Sequence, residues 1–318
     1  MVRVVVTGGA GFIGSHLVEK LVRRGFEVVV LDNLSSGSLE NLSSVRSRVE
    51  MMIGDVKDLE TCLKMFKDAE VVYHFAANPE VRVSTTEPRV HFEENVRATF
   101  TVAEAIRILE SVKTVVFASS STVYGDAQVI PTPEEHPLRP ISVYGASKAA
   151  AELLLYSYSQ LYGLRVVVLR YANIVGPRTR HGVIYDFIVK LSKNRNQLEV
   201  LGDGRQKKSY LYVDDAIEAT LLAVESSVRS FSVYNVGNED WVEVSDIAKI
   251  VSGVLGLKPE LVFTSGTPDG RGWPGDVKFM LLSIERIKSL GWKPKYTSAE
   301  AVRLTAYALS RELGLLQT

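Results

Sequence analysis

The first fourteen residues constrain this chain more than any other stretch. Val2-Arg3-Val4-Val5-Val6-Thr7 is β-branched and apolar apart from Arg3, the pattern of a buried parallel strand. From Phe12 to Arg24 the period changes. Ile13, Leu17 and Leu21, with Val18 and Val22, recur at i+4 as one helix face, and Gly25 supplies the stop. Between strand and helix, next to Gly8, lie Gly9, Gly11 and Gly14, a G-x-G-x-x-G in a strand–turn–helix setting. Glycine there permits a tight turn, close approach of backbone to a pyrophosphate, and close helix–strand packing. Gly8, Gly11, Phe12, Ile13 and Gly14 are therefore expected at the phosphates, which meet the open N–H groups and positive dipole end of the helix.

A second strand, Glu27 to Leu31, ends in Asp32, about twenty residues past the loop, where a carboxylate can accept both ribose hydroxyls of a dinucleotide. The same charge repels a 2′-phosphate, so it favours NAD over NADP. Asn33, Ser35, Ser36 and Gly37 follow in a run of turn chemistry expected to cover the adenosine half.

Alternation then fixes the class. Strands are expected at Val49–Ile53, Val71–Phe75, Thr114–Ala118 and Arg165–Arg170, with helices at Asp58–Phe66, Pro88–Leu109 and from Tyr144 to about Tyr162. This is α/β: a Rossmann-type, right-handed, doubly wound parallel sheet with a smaller C-terminal α/β substrate domain. The dinucleotide domain is expected over 1–175, with 213–238 returning to it, and the substrate domain over 176–318. Substrate should lie outside the carboxyl ends of the strands. In the second half, helices are expected at Val183–Lys193, Val213–Val224, Val244–Leu255 and around Ile284 and Glu300, with strands at Glu199–Leu201, Ser209–Tyr212 and Val233–Val236.

Length and charge exclude several classes. At 318 residues there is ample core, and 37 basic side chains cancel 37 acidic ones, so bulk charge recruits neither nucleic acid nor an anionic membrane. The lone Cys62 excludes an internal disulfide and fits a reducing compartment. No apolar run reaches membrane-spanning length, and Met1-Val2-Arg3 runs straight into a core strand without a signal peptide. The expectation is a soluble cytoplasmic protein with no metal site.

Tyr144 and Lys148 stand four residues apart, on one helix face. An ammonium near a phenol favours phenolate and is expected to lower the Tyr144 pKa from about 10 toward the working range. A phenolate beside a nicotinamide takes the proton from a sugar hydroxyl while the carbon yields hydride. Ser120, at a strand end, can hydrogen-bond the same hydroxyl and relay its proton. Alone, Y-x-x-x-K is frequent by chance; after an NAD-type βαβ unit and a hydroxyl-rich strand end it is specific.

With these residues assembled, the chain resembles the extended short-chain dehydrogenase/reductase family, and within it the UDP-hexose 4-epimerases. The resemblance is carried by Thr7 to Ser15, Asp32-Asn33-Leu34, Gly54-Asp55, His74-Phe75-Ala76-Ala77, Ser119 to Gly125, Tyr144 to Lys148, Arg170-Tyr171-Ala172-Asn173, Gly275-Asp276-Val277 and Leu290 to Pro294, nearly the whole chain. It implies that Asp55 holds the adenine amino group with Val56 beside it. Phe75, Ala76, Ala77, Ala118 and Tyr171 would border the cofactor, and Asn95 would lie near its nicotinamide half. It further implies Asn173 at the sugar nucleotide's phosphate, Lys208 and Arg271 at the diphosphate, and Asp276 at the uridine ribose. A homodimer built on a four-helix interface is implied as well.

Three departures stand out. Lys208 replaces a common Arg and loses the bidentate fork. Pro79 replaces a lysine that reaches the cofactor ribose in bacterial relatives, and Gly270–Pro274 is longer than usual, which loosens the Arg271 assignment. Ser121 and Thr122 bear on reaction type. Related dehydratases carry Asp-Glu there and decarboxylases Glu at the second position, and hydroxyls cannot replace a carboxylate in elimination near neutral pH. What remains is C4 epimerisation of UDP-glucose and UDP-galactose through a 4-keto sugar, with NAD regenerated in each turnover. UDP-glucuronate or UDP-N-acetylhexosamine epimerisation uses the same residues, and a non-catalytic NAD-sensing regulator is the alternative of another class.

Overall fold

The valine run at the N-terminus forms β1 (Arg3–Thr7), and α1 (Phe12–Arg23) leaves it through Gly11 at the N-cap. This computed structural model describes residues 2–264 and 266–316. The alternation continues through β2 (Glu27–Asp32), β3 (Val49–Ile53), α2 (Leu59–Phe66) and β4 (Val71–His74), with the Asp58 side chain capping α2 by accepting from the Glu60 N–H.

The helix expected over Pro88–Leu109 runs unbroken but changes pitch within it. It is α3 (Pro88–His91), a π-helical segment (Phe92–Arg97) and α4 (Ala98–Leu109). The wider turn re-aims Asn95 inward, where both ends of its amide are engaged. Oδ1 accepts from the Asn78 N–H at 2.9 Å, and Nδ2 donates to Ser147 Oγ at 2.8 Å. π-turns of this kind recur at functional positions, and apolar periodicity carries no sign of one.

β5 (Thr114–Ser120), α5 (Val143–Tyr162) and β6 (Arg165–Tyr171) follow. Then come β7 (Asn173–Val175), α6 (Val183–Lys193), β8 (Gln197–Leu201), β9 (Lys207–Lys208), β10 (Tyr210–Tyr212), α7 (Val213–Ser226) and β11 (Phe231–Val236). The chain ends with β12 (Val242–Glu243), α8 (Val244–Val254), β13 (Glu260–Thr264), β14 (Phe279–Met280), α9 (Glu285–Lys288) and α10 (Ser298–Glu312). β7 and β13, like the two-residue strands β9, β12 and β14, have no counterpart in the sequence reading. β7 and β13 are short and pair in parallel with distant strands, β7 with β10 and β13 with β8, so local pattern cannot announce them.

The main sheet has seven strands in the order β11-β6-β5-β4-β1-β2-β3. β1 pairs in parallel with β2 on one side and with β4 on the other, so the winding reverses between β1 and β4. Ligands of doubly wound sheets bind outside the carboxyl ends of the strands at such a reversal. As expected, β11 returns to this sheet.

Two compact units emerge. The first comprises Met1–Val123, Val143–Arg170 and Ile217–Tyr234, and its core packs Val5, Leu31, Phe66, Val72, Val102, Phe117, Leu155 and Val168 together. The second comprises Tyr124–Ser142, Tyr171–Ala216 and Asn235–Thr318, around a core that includes Val175, Phe187, Leu198, Ile247 and Leu309. α10 begins with a capping box, Thr297 and Glu300 each satisfying the other's backbone N–H. Among the described residues, no helix is long and apolar enough to cross a membrane, and no cluster of His, Cys, Asp and Glu could hold a metal ion.

Candidate active site

The glycine loop closes against the end of β4. Gly8 has φ +68°, and a Cβ there would lie 2.6 Å from the Ala76 nitrogen; a Cβ on Gly14 would lie 2.1 Å from the Gly8 carbonyl oxygen. Neither position accepts a side chain without moving backbone. Gly11 caps α1 with no side-chain hydrogen bond, so nothing on the cap covers the first-turn N–H groups that follow at Phe12, Ile13 and Gly14. At the end of β2 the buried Asp32 carboxylate is fixed from both sides. Oδ2 accepts from the Ala10 N–H at 2.9 Å and Oδ1 from the Leu34 N–H at 2.8 Å, with Gly37 packed beside it. Each oxygen keeps acceptor capacity. An anion-ready helix end and a fixed carboxylate at this spacing fit a pyrophosphate and a ribose.

Asn33 links the next strand end, donating to Asp55 Oδ2 at 3.4 Å while its own Oδ1 accepts from Ser35; Ser36 is exposed. Burial opposes the charge on Asp55, but hydrogen bonds from the Lys57 backbone and ammonium outweigh it and bring the carboxyl below its ordinary range. Val56 is buried beside it, its carbonyl accepting from the Cys62 thiol.

Beneath the loop runs a network the sequence reading did not assign. The Ala76 N–H donates to Thr7 Oγ1, Thr7 contacts His74 Nδ1 at 2.8 Å, and His74 Nε2 contacts Thr99 Oγ1 at 3.0 Å. Thr99 donates its one proton to the Asn95 carbonyl at 2.6 Å, so His74 Nε2 must donate and Nδ1 must accept from Thr7. Burial holds His74 neutral, pulled to about 3 with a smaller push from Lys148. Phe75 and Ala76 are thus pinned to β1, Phe75 through its N–H on the Thr7 carbonyl, with Ala77 next in the same turn. Only the motif His74-Phe75-Ala76-Ala77 hinted at this.

Ser120, at the end of β5, meets Tyr144 of α5, and Lys148 stands one helical turn further along α5. Ser120 hydrogen-bonds the Tyr144 phenol, and its own Oγ accepts from the Thr122 N–H at 3.2 Å and hydroxyl at 2.9 Å. Thr122 therefore orients Ser120. Ser147 ties the helix start down, donating to the Tyr144 carbonyl while receiving from Asn95, and the Tyr144 N–H donates to Ser84.

The electrostatics differ from the sequence expectation. Burial raises the Tyr144 phenol to about 12, Ser120 pulling it only partly back, and Lys148 does not reach it. The Lys148 ammonium, 4% exposed, instead donates to the Ala118 carbonyl at 2.9 Å, lies 5.0 Å from the Phe117 ring centre and 6.0 Å from that of Tyr144. Burial pulls Lys148 down to about 8, with Glu152 raising it. Four residues along a helix gave the shared face but not the reach of the side chain.

In the second unit, Tyr171 is buried at the end of β6, and Asn173 donates to the Ser209 carbonyl at 3.0 Å. Lys208 pairs with the buried Asp276 at 2.5 Å and lies over the Trp273 ring. Arg271 makes a two-pronged pair with Asp126, both bonds 2.9 Å, and bonds Asp269 at 2.6 Å and the Asp276 carbonyl at 2.7 Å. These bonds raise the Arg271 guanidinium further above its ordinary range, Asp126 contributing most. The structure therefore shows Arg271 holding loops of its own unit, an involvement with no signal in the local sequence.

A reversal-point glycine cradle beside a Ser-Tyr-Lys set defines a dinucleotide-using enzyme of the short-chain dehydrogenase type. The chain belongs to the NAD dependent epimerase/dehydratase family, whose pattern matches residues 4–237. It is 57% identical to a UDP-galactose 4-epimerase of known crystal structure, covering 98% of this chain and 99% of that one with a TM-score of 0.89. It is 34% identical to the UDP-glucose 4-epimerase of Thermotoga maritima, solved with UDP-glucose, over 98% of this chain and 99% of the other with a TM-score of 0.88. It is also 37% identical to the UDP-glucose 4-epimerase of Thermus thermophilus, solved with NAD, over 96% and 98% of the two chains with a TM-score of 0.86.

Proposed function

We propose that this protein interconverts UDP-glucose and UDP-galactose by inverting C4 of the hexose, with NAD as its resident cofactor. The observation that carries the reading is the hydrogen-bonded Ser120–Tyr144 pair with the Lys148 ammonium one helical turn on, next to hydroxyls rather than carboxylates at Ser121 and Thr122. Gly8, Gly11, Phe12, Ile13, Gly14, Asp32, Asn33, Ser35, Ser36, Gly37, Asp55 and Val56 are the proposed holders of the adenosine and pyrophosphate. Phe75, Ala76, Ala77, Asn95, Ala118, Tyr144, Lys148 and Tyr171 are proposed to border the nicotinamide half. Bound NAD supplies a hydride acceptor and later donor for C4, and a positive charge that favours phenolate at Tyr144.

In that state Tyr144 takes the proton of the C4 hydroxyl, directly or through Ser120, as C4 is oxidised to the ketone. Tyr144 would return the proton to the C4 oxygen as that carbon is reduced on its opposite face, so the turnover would be redox-neutral. Asn173, Lys208, Arg271 and Asp276 are the proposed anchors of the uridine diphosphate while the 4-keto sugar turns over. The first unit is the proposed NAD domain and the second the substrate domain. We also propose a homodimer through α4 and α5, whose exposed Phe100, Ile108, Leu153 and Leu161 leave apolar surface on both helices; a monomeric mass by light scattering at micromolar concentration contradicts it.

Incubation of purified protein with UDP-glucose, without added NAD, should yield UDP-galactose by NMR. No interconversion even with added NAD ends this reading for that substrate, and UDP-N-acetylglucosamine and UDP-glucuronate are the next to test.

A further inference from the structure

Three consecutive residues at the end of β5 hold three residues spaced one turn apart on α5. Ser120 bonds Tyr144, the Ala118 carbonyl accepts from Lys148, and the Ser119 hydroxyl donates to Glu152 Oε1. Positions 144, 148 and 152 fall at i, i+4 and i+8, along one helix face. Behind Glu152, Arg170 on β6 closes the row, its Nε 3.1 and 3.2 Å from the two carboxylate oxygens and its Nη2 2.6 Å from Oε2. Glu152 is 3% exposed and Arg170 5%.

A buried ion pair is a poor source of stability, because an apolar pair of similar volume often serves as well. The proposed chemistry uses only the first two positions of the row and leaves Glu152 unexplained. The groups facing Lys148 narrow its role. On α5 these are Tyr144 and Glu152, and on β5 the Phe117 ring and the Ala118 carbonyl. From β4 and α3 come His74 and His91, whose pKa values burial lowers. Arg170 stands behind Glu152. Among the described residues, Glu152 is the carboxylate whose charge acts on Lys148.

We propose that Glu152, clamped by Arg170 and Ser119, is a positioning residue of this site: it keeps the Lys148 ammonium charged and sets the register at which α5 presents Tyr144 to Ser120. The proposal rests on the reading of Tyr144 and Lys148 as the reacting pair, but its first test needs no substrate.

Lysine-selective ¹³Cε NMR of the purified protein, with the Lys148 signal identified by its loss in Lys148→Met, follows the titration of that amine. Glu152→Gln should lower its midpoint by about one to two units, the size expected for unit charges one helical turn apart at an effective dielectric of about 20. The double variant Glu152→Met/Arg170→Met keeps the core filled and orphans no charge; its midpoint should still fall below that of the parent. With whichever UDP-sugar the parent turns over, the alkaline limb of kcat/KM should move to lower pH by the same amount. A purely structural pair would lower Tm and leave both midpoint and pH profile in place, which overturns the electrostatic role. If neither carboxylate variant folds, Ser119→Ala decides, since it leaves the ion pair intact. Loss of that hydrogen bond should reduce kcat about two- to tenfold, and an unchanged kcat overturns the positioning role. A parent that turns over no UDP-sugar defeats the proposed function, while the NMR midpoints still judge Glu152.

Discussion

In the first unit, the groups around Tyr144 are held by hydrogen-bond partners that leave their functional atoms oriented: Asn95 through Ser147, Ser120 through Thr122, Lys148 through the Ala118 carbonyl. In the second, the cations assigned to the diphosphate are already paired with carboxylates, Lys208 with Asp276 and Arg271 with Asp126 and Asp269. The first arrangement is preorganised, so little reorganises as charge develops. On the proposed reading, the second would trade one of these carboxylates for a phosphate. On that reading, chemistry and substrate capture are thus under different physical control, and each can be attacked separately.

The largest expected effect falls on the first unit. Tyr144→Phe removes the proton acceptor and should cut epimerisation about 10²- to 10⁴-fold with NAD content unchanged, read by NMR of the UDP-sugars and by release of bound nucleotide. Retained activity would break the division of labour. Next, Arg170→Met leaves the Glu152 carboxylate buried and unpaired, and urea denaturation should show a loss of about 3–5 kcal/mol. Gly14→Ala forces a Cβ into the Gly8 carbonyl; it should cost about 1–3 kcal/mol in the same assay and weaken NAD binding by displacing the loop.

The pH dependence follows from Lys148. Burial lowers this base to about 8, so its ammonium persists below that pH and is lost above it. Activity that needs the charge should fall as pH rises through about 8, seen in the kcat/KM profile. The fold prefers the neutral amine, so this group's destabilising contribution is full below about 8 and is relieved toward the unfolded value of about 10.4. An alkaline limb that stays flat through pH 9 would detach Lys148 from the chemistry.

The smallest expected effect sharpens the second half of the comparison. Asp126 is exposed, so Asp126→Asn should change stability by less than about 1 kcal/mol. Freed of one competing carboxylate, Arg271 should bind diphosphate more readily, lowering KM about two- to fivefold within that same energy. A raised KM would show instead that Asp126 holds Arg271 in place for its ligand.

The N-terminal strand, the glycine loop, Asp32 and the Tyr144–Lys148 spacing were legible because each is a local pattern: β-branched apolar runs, a helix period and turn chemistry are written within a few residues of one another. From them alone follow a doubly wound sheet and a dinucleotide cradle. Tertiary structure decided what depends on distant partners. It turned Asn95 inward through a π-helical segment, placed His74 between Thr7 and Thr99, and set Glu152 against Arg170 and Ser119. It also reversed the expected sense of the Tyr144 shift, because burial is a property of the packed interior and spacing along a helix does not encode it. Sequence determines which groups can share a face; only the packed fold settles how far each side chain reaches and how much water it loses.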